Sequence, residues 1–389
     1  MLTSDQLLKF QLLASGVRIP EEARVAWRDR FGGPLTLAEY ATTGGVALVL
    51  PGENYVNAHP VDHANAPELG IDGESWFLRH AGDDVPIDVV PVPAFHGQHT
   101  VDRYQGAVQP LTRYGVTHTD RCRVSPIEGC AWRCHFCDLP FEWDYRLKHK
   151  ENLLDAIRAA KDDPLAPARH VLVSGGTPRA PRRARPDRAG RDDEAWIDDV
   201  YAFLAEHSPL PVDVMMPVRK DFSYPDWLRS AGVNMVSLNM EVSDPDRARA
   251  LAAAKANIGR DHTLDYIERA VDSFGVGFVQ SLIVFGEAIE PMKSTLRGVR
   301  DLVDRGCIPV LSPFRPHHLT PLAEAPAASL EEIVEVYHRT LDICEQIDNG
   351  IKPGPRCIPC HHNTATVPDG SDFYVDLHGD LTERRCLTS

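Results

Sequence analysis

Gly129-Cys130-Ala131-Trp132-Arg133-Cys134-His135-Phe136-Cys137-Asp138 spaces three cysteines as Cys-x3-Cys-x2-Cys. Thiolates this close can wrap one corner of a cubane iron–sulfur cluster, each reaching a different iron. The fourth iron is then left without a cysteine. A cluster held by four cysteines carries electrons, whereas one with an open iron can bind a small molecule. Zinc is the competing reading, and it would want a fourth ligand at related spacing. His135 sits inside the loop but points poorly for closing a tetrahedron with its own neighbours. The cluster is the stronger reading.

With an aromatic residue, Phe136, just before its last cysteine, the run resembles the signature of radical S-adenosylmethionine enzymes. The resemblance implies a [4Fe-4S] cluster on Cys130, Cys134 and Cys137. Its open iron is chelated by the amino and carboxylate groups of S-adenosyl-L-methionine. One electron then cleaves a C–S bond, and the resulting 5′-deoxyadenosyl radical takes a hydrogen atom from a small-molecule substrate. An external electron donor such as a flavodoxin or ferredoxin is implied too.

Around the loop, short apolar runs alternate with amphipathic ones. Strands are expected over 121–127, 170–174, 212–217, 233–239, 277–284 and 307–312. Helices are expected over 151–161, 194–207, 225–231, 244–254, 263–274, 291–305 and 329–347. Such repetition builds a parallel sheet with helices outside, an α/β fold. Six units are too few for an eight-stranded barrel. The resemblance implies a partial (β/α)6 TIM-type barrel, biotin synthase-like, and the count agrees. Active groups belong at the C-terminal ends of such strands, where the cysteine loop falls. Residues 1–117 read as a small N-terminal α+β accessory domain, with a helix over 2–14, a hairpin about Pro51-Gly52, and strands at 87–92 and 108–116. The barrel spans 118–327, and 328–389 hold the closing helix and a cysteine-containing C-terminal tail.

Three further stretches bear on the cofactor. Ser174-Gly175-Gly176-Thr177-Pro178 closes the second strand, and its glycines let backbone approach a ligand closely. It resembles the family's Gly-Gly-Glu-Pro stretch, which binds the methionyl amine; with Thr177 in place of the acid, backbone carbonyls must do that work. An ordinary strand-to-helix turn is the alternative. Asn239 and Glu241 alternate along a strand and so face one way. They resemble the Asn-x-Asp pair of biotin synthase, implying contacts to the ribose hydroxyls. A helix N-terminus capped by Ser243 or Asp244 uses other residues and is compatible. The run 283–287, with Phe285, resembles the family's apolar strand that packs on adenine, and Phe136 adds a stacking surface. Arg260 matches a basic position near the cofactor carboxylate; the alternative is a solvated side chain beside a capping Asp261.

In the tail, Cys357-Ile-Pro-Cys360 is a knuckle that places two thiolates on one metal, with Cys386 or Cys122 to complete the site. An auxiliary iron–sulfur cluster capping the barrel mouth ranks first. Structural zinc with His361 or His362 follows, then unligated thiols. Arg219 and Arg315 sit after strands and suit an anionic or polar substrate. With a second cluster the economical chemistry is sulfur insertion or C–S bond formation. The rivals are radical epimerisation, dehydrogenation or rearrangement, and a non-enzymatic electron-transfer module.

Composition sets the outer bounds. The 389 residues carry a formal net charge of −15, which repels phosphate backbones and argues against nucleic acid. No apolar run nears the ~18–20 residues that span a bilayer. The N-terminus lacks a basic start and cleavage site, so a cytoplasmic location is expected. Nine cysteines at ligand spacings fit metals there rather than disulfides. The arginine-rich run from Arg179 to Arg191 reads as a solvated loop, or as a lid over an anionic substrate.

Overall fold

The computed structural model describes residues 2–37, 44–179 and 192–375. Cys386 and positions 180–191 of the arginine-rich run lie outside the described residues.

Six parallel strands follow one another in chain order: Arg121–Val124, His170–Val173, Val212–Met216, Met235–Leu238, Val279–Phe285 and Ile308–Pro313. A seventh, Gly115–His118, pairs antiparallel with the first and gives the sheet an edge. The sheet curls into a half-barrel, with Gly115–His118 and Ile308–Pro313 as unjoined edges. Because parallel strands are covered on both faces, they read as near-continuous apolar runs, here HVLV, MVSL and VQSLIVF. The helices cover the outside. In Lys150–Lys161, Leu153, Leu154, Ala156, Ile157 and Ala160 recur at helical spacing and are buried. Leu330–Ile347 opens with a capping box between Ser329 and Glu332.

The N-terminal part has its own core. Helix Glu21–Phe31 lies on a five-stranded antiparallel sheet ordered Asn54–Ala58, Val46–Leu50, Asp83–Val90, Ser75–His80, Glu68–Asp72. Trp27 and Trp76 meet there with ring centroids 5.6 Å apart. The expected hairpin is present; helix Glu21–Phe31 and strands Glu68–Asp72 and Ser75–His80 are additions. Gly115–His118 belongs to the barrel sheet, so a boundary after residue 117 cuts a strand. Helix Ser4–Ser15 also sends Phe10 into the barrel core, edge-on to Tyr337 at 5.3 Å.

The tail corrects an expectation. Residues 351–375 do not cap the barrel mouth. Gly354 N–H donates to Pro309 O and Ala365 N–H to Leu311 O, both at 2.9 Å, along the free edge of Ile308–Pro313. This protects an otherwise open sheet edge. The chain then crosses the N-terminal ends of the strands, where Thr119 Oγ1 meets Pro359 O at 3.4 Å. Lys9, fully buried, fastens this segment by donating to His361 O and Thr366 O.

Candidate active site at the C-terminal ends of the strands

The cysteine loop leaves the first barrel strand and leans on the turn that leaves the second. Cys130 Sγ accepts N–H bonds from Trp132 at 3.3 Å and Thr177 at 3.2 Å. Ala131 N–H returns to Thr177 O at 3.1 Å. Gly176 is what permits this approach, since a Cβ there would lie 1.8 Å from Gly129 O. The glycine pair thus makes room for the loop backbone itself. His135 N–H donates to Leu251 O at 2.8 Å and anchors the loop's far side.

The three thiols suit a cluster better than an ion. Among the described residues, one group of three or more metal-capable side chains gathers its ligand atoms within 4.8 Å, and this triplet is not it. Thiolates that each hold a different iron must stand farther apart than ligands of one ion. Burial, reinforced by the Glu241 carboxylate, pushes the Cys134 thiol up to about 12. Iron is held by the thiolate, so cluster assembly on these cysteines releases protons.

The loop opens onto a cavity of about 300 Å³ inside the half-barrel. It runs from Phe136, Cys137 and Glu241 at the strands' C-terminal ends to Cys360 and Thr364 at the other. Asn239 and Glu241 both line it. Asn239 Oδ1 accepts from Leu282 N–H at 3.1 Å and Ser237 Oγ at 2.8 Å, which leaves its NH2 group to donate. Glu241 stands in the left-handed region at φ +61°, held by a bond from its N–H to Leu282 O at 2.8 Å. Its carboxylate pairs with Lys255 Nζ at 2.8 Å. Phe136 packs against an apolar patch of Val242, Leu251, Val284, Ile289 and Phe314.

Several expected site residues lie elsewhere. Phe285 is 1 % exposed in the main core, because Gln280, Leu282 and Val284 are the inward positions of its strand. Arg219 turns outward, bidentate to Asp198 at 2.6 and 3.2 Å and stacked 3.8 Å over Tyr224. Arg260 pairs with Asp301 and borders a separate cavity of about 180 Å³ beside Asn239 and Lys255. The Ser174 hydroxyl accepts from Arg123 Nε at 2.7 Å. Arg315 does line the half-barrel cavity, as does His59. Burial, helped by Arg315, lowers the pKa of His59 to about 4, which keeps that ring neutral.

Arg121, Arg123 and Lys255 went unread in the sequence. The cue was available: two arginines at i and i+2 in a strand covered on both faces must share its inner side. Among the described residues, Cys357 and Cys360 meet Asp120 and His170 rather than Cys122; all four are buried, with ligand atoms within 4.8 Å. They lie at the opposite end of the strands, roughly 16 Å along from the cluster loop.

Residues 124–298 match the Radical SAM superfamily model, and the chain carries a domain of that superfamily. Such domains hold a [4Fe-4S] cluster and S-adenosylmethionine and cleave the latter reductively to a 5′-deoxyadenosyl radical. The chain is 26% identical over 163 residues to the bacteriochlorophyllide c C-7(1)-hydroxylase of Chlorobaculum limnaeum, covering 41% of this chain. It spans 39% of the length of that curated relative. Among solved structures, the FeFe-hydrogenase maturase HydG from Carboxydothermus hydrogenoformans superposes with TM-score 0.45 at 13% identity, over 69% of this chain and 62% of that one. A radical SAM methyltransferase from Sphaerobacter thermophilus does so with TM-score 0.41 at 15% identity, over 89% and 86%. Among the described residues, no helix is long and apolar enough to cross a membrane.

Proposed function

We propose that the half-barrel cavity holds a small anionic substrate, which gives up a hydrogen atom to the 5′-deoxyadenosyl radical. One observation carries this reading: Cys137, Glu241 and three arginines, Arg121, Arg123 and Arg315, line a single cavity. In a chain of net charge −15, Arg121 and Arg123 on the first strand and Arg315 beyond the sixth bring three guanidinium groups to one cavity, which suits an anion. The Arg121 Nε is buried and has no hydrogen-bond partner among the described residues. A buried donor in that state wants an acceptor, and guanidinium suits carboxylate or phosphate. The volume lies at the small end for ligand pockets.

In this reading Cys130, Cys134 and Cys137 hold three irons, and the carbonyls of 174–177 receive the methionyl amine. Asn239 and Glu241 take the ribose hydroxyls, with Lys255 releasing Glu241 as they do so. Phe136 and the apolar patch beside it face the adenine. Arg315 acts on substrate together with Arg121 and Arg123. A cytoplasmic location and a flavodoxin- or ferredoxin-type electron donor complete the proposal. Sulfur insertion from a tail cluster is not favoured, because the tail cysteines stand at the far end of the strands.

The test is anaerobic turnover of the reconstituted enzyme with dithionite, S-adenosylmethionine and a panel of deuterated small metabolites. Deuterium should enter 5′-deoxyadenosine from carboxylate- or phosphate-bearing molecules. Arg121→Met should raise the substrate KM about tenfold or more, as a charged hydrogen bond is lost, while uncoupled cofactor cleavage persists. Product mass separates hydroxylation, named for the curated relative, from epimerisation, dehydrogenation, rearrangement and sulfur insertion. Transfer only from neutral or cationic molecules would overturn the reading.

A further inference from the structure

At the strands' N-terminal ends, four donors from three separated stretches of chain converge. Cys360 Sγ stands 3.2 Å from His170 Nε2. Cys357 Sγ stands 3.6 Å from Asp120 Oδ2, and His170 Nε2 is 3.8 Å from Asp120 Oδ1. Outside this group a carboxylate orients the imidazole: His170 Nδ1 meets Asp213 Oδ2 at 3.2 Å. Asn234 Nδ2 in turn donates to Asp213 Oδ1 at 2.7 Å. With the proton on Nδ1, the Nε2 lone pair faces the thiols. Ligand, imidazole and supporting carboxylate in line are how protein metal sites fix a histidine.

Two thiols and a carboxylate packed together out of water are a costly arrangement unless a cation neutralises them. The donors are two sulfurs, one imidazole nitrogen and one carboxylate oxygen, a mixture that suits tetrahedral zinc. Their spacing within 4.8 Å suits a single ion, whereas cluster ligands must reach different irons. Four protein ligands leave no open position, the mark of a structural site.

We propose that Asp120, His170, Cys357 and Cys360 bind one zinc ion, which clamps the C-terminal segment across the N-terminal ends of the first two barrel strands. The inference does not depend on the substrate reading. Its consequence is architectural: Cys360, Asn363 and Thr364 line the half-barrel cavity, so the ion fixes one wall of that cavity at the end away from the cluster.

Metal analysis of the full, reconstituted chain tests this. About four irons and one zinc per chain are expected. A Cys130→Ala/Cys134→Ala/Cys137→Ala variant should lose the iron and keep the zinc. His170→Ala should lose the zinc and keep the cluster's visible spectrum, with new protease cleavage between 351 and 375. Should His170→Ala fail to fold, Asp213→Asn serves in its place and should weaken zinc by about 10- to 100-fold in a chelator competition. Iron retained by the triple-cysteine variant would overturn the proposal in favour of an auxiliary cluster. Zinc-free wild-type protein whose Cys360 reacts rapidly with iodoacetamide would overturn it in favour of a thiolate–imidazolium pair.

Discussion

The first two barrel strands carry a metal-ligand set at each end, and the two sets are built on opposite principles. Beyond Arg121–Val124 and His170–Val173, three thiols from one short loop form no group with ligand atoms within 4.8 Å, as suits a cluster whose fourth iron has no cysteine. Before the same strands, at Asp120 and His170, four donors from distant stretches crowd within 4.8 Å. In the open set Cys137 lines the cavity together with Glu241, and backbone amides bond the Cys130 sulfur. The closed set is braced by Asp213 and Asn234 and buttressed by Lys9 on the tail behind it. One end is arranged to let a ligand in and the other to hold a chain segment still, so losses at the two ends should have different consequences.

The largest effect belongs to the open end. Alanine at Cys130, Cys134 or Cys137 should abolish 5′-deoxyadenosine formation with dithionite, since alanine offers iron no ligand. Turnover by Cys134→Ala would erase the contrast between the ends. Next comes Gly176→Ala, whose added methyl would meet the loop carbonyl of Gly129 at 1.8 Å. Neither atom is the tip of a flexible side chain, so loop and turn must separate. Iron incorporation should fall several-fold while zinc content is unchanged. Equal loss of both metals would mean that the two ends are not independent.

Smaller effects are expected at Asn239 and Glu241. Removing one hydrogen-bonding group from the cofactor should cost about 1–3 kcal/mol of affinity. Equilibrium binding of S-adenosylmethionine to Asn239→Ala and Glu241→Ala should weaken accordingly, with the cluster spectrum intact. If neither variant changes affinity, the Asn239 side chain serves only its bonds from Leu282 N–H and Ser237, and that of Glu241 only its pair with Lys255.

The same contrast explains what was legible in the sequence. The open site could be read because its ligands lie within eight residues and its strands are unbroken apolar runs. The closed site could not: Cys357 and Asp120 are 237 positions apart, and no local period links them. What remained was a weak cue, namely His170 opening an apolar strand and Asp213 set within VDVMM. Phe285 was misassigned through parity, since the side chain before a strand-end glycine falls on the outer face when the positions on either side of Leu282 and Val284 point out. Arg219 was misplaced because a cation after a strand can turn either to the mouth or to the next helix, and Asp198 captures it.

The smallest effect lies behind the closed end. Burial lowers the Lys9 pKa from 10.5 to about 7, against an opposing pull from Asp372. Below pH 7 the folded and unfolded chains both hold the proton, and the penalty of a buried ammonium is fully present. Between pH 7 and 10.5 the unfolded chain holds a proton that the folded chain has released, so stability rises with pH, by at most about 1.4 kcal/mol per pH unit. Above 10.5 the gain levels off. Lys9→Met keeps the length of the side chain and removes the titration. The difference in urea midpoint between wild type and variant should therefore shift in favour of wild type from pH 7 to pH 9. The zinc ligands titrate alike in both proteins and drop out of the comparison. A pH-independent difference would show that Lys9 keeps its proton in the folded state, paired with Asp372 across the tail, and that the segment is held by an ion pair as well as by hydrogen bonds to carbonyls.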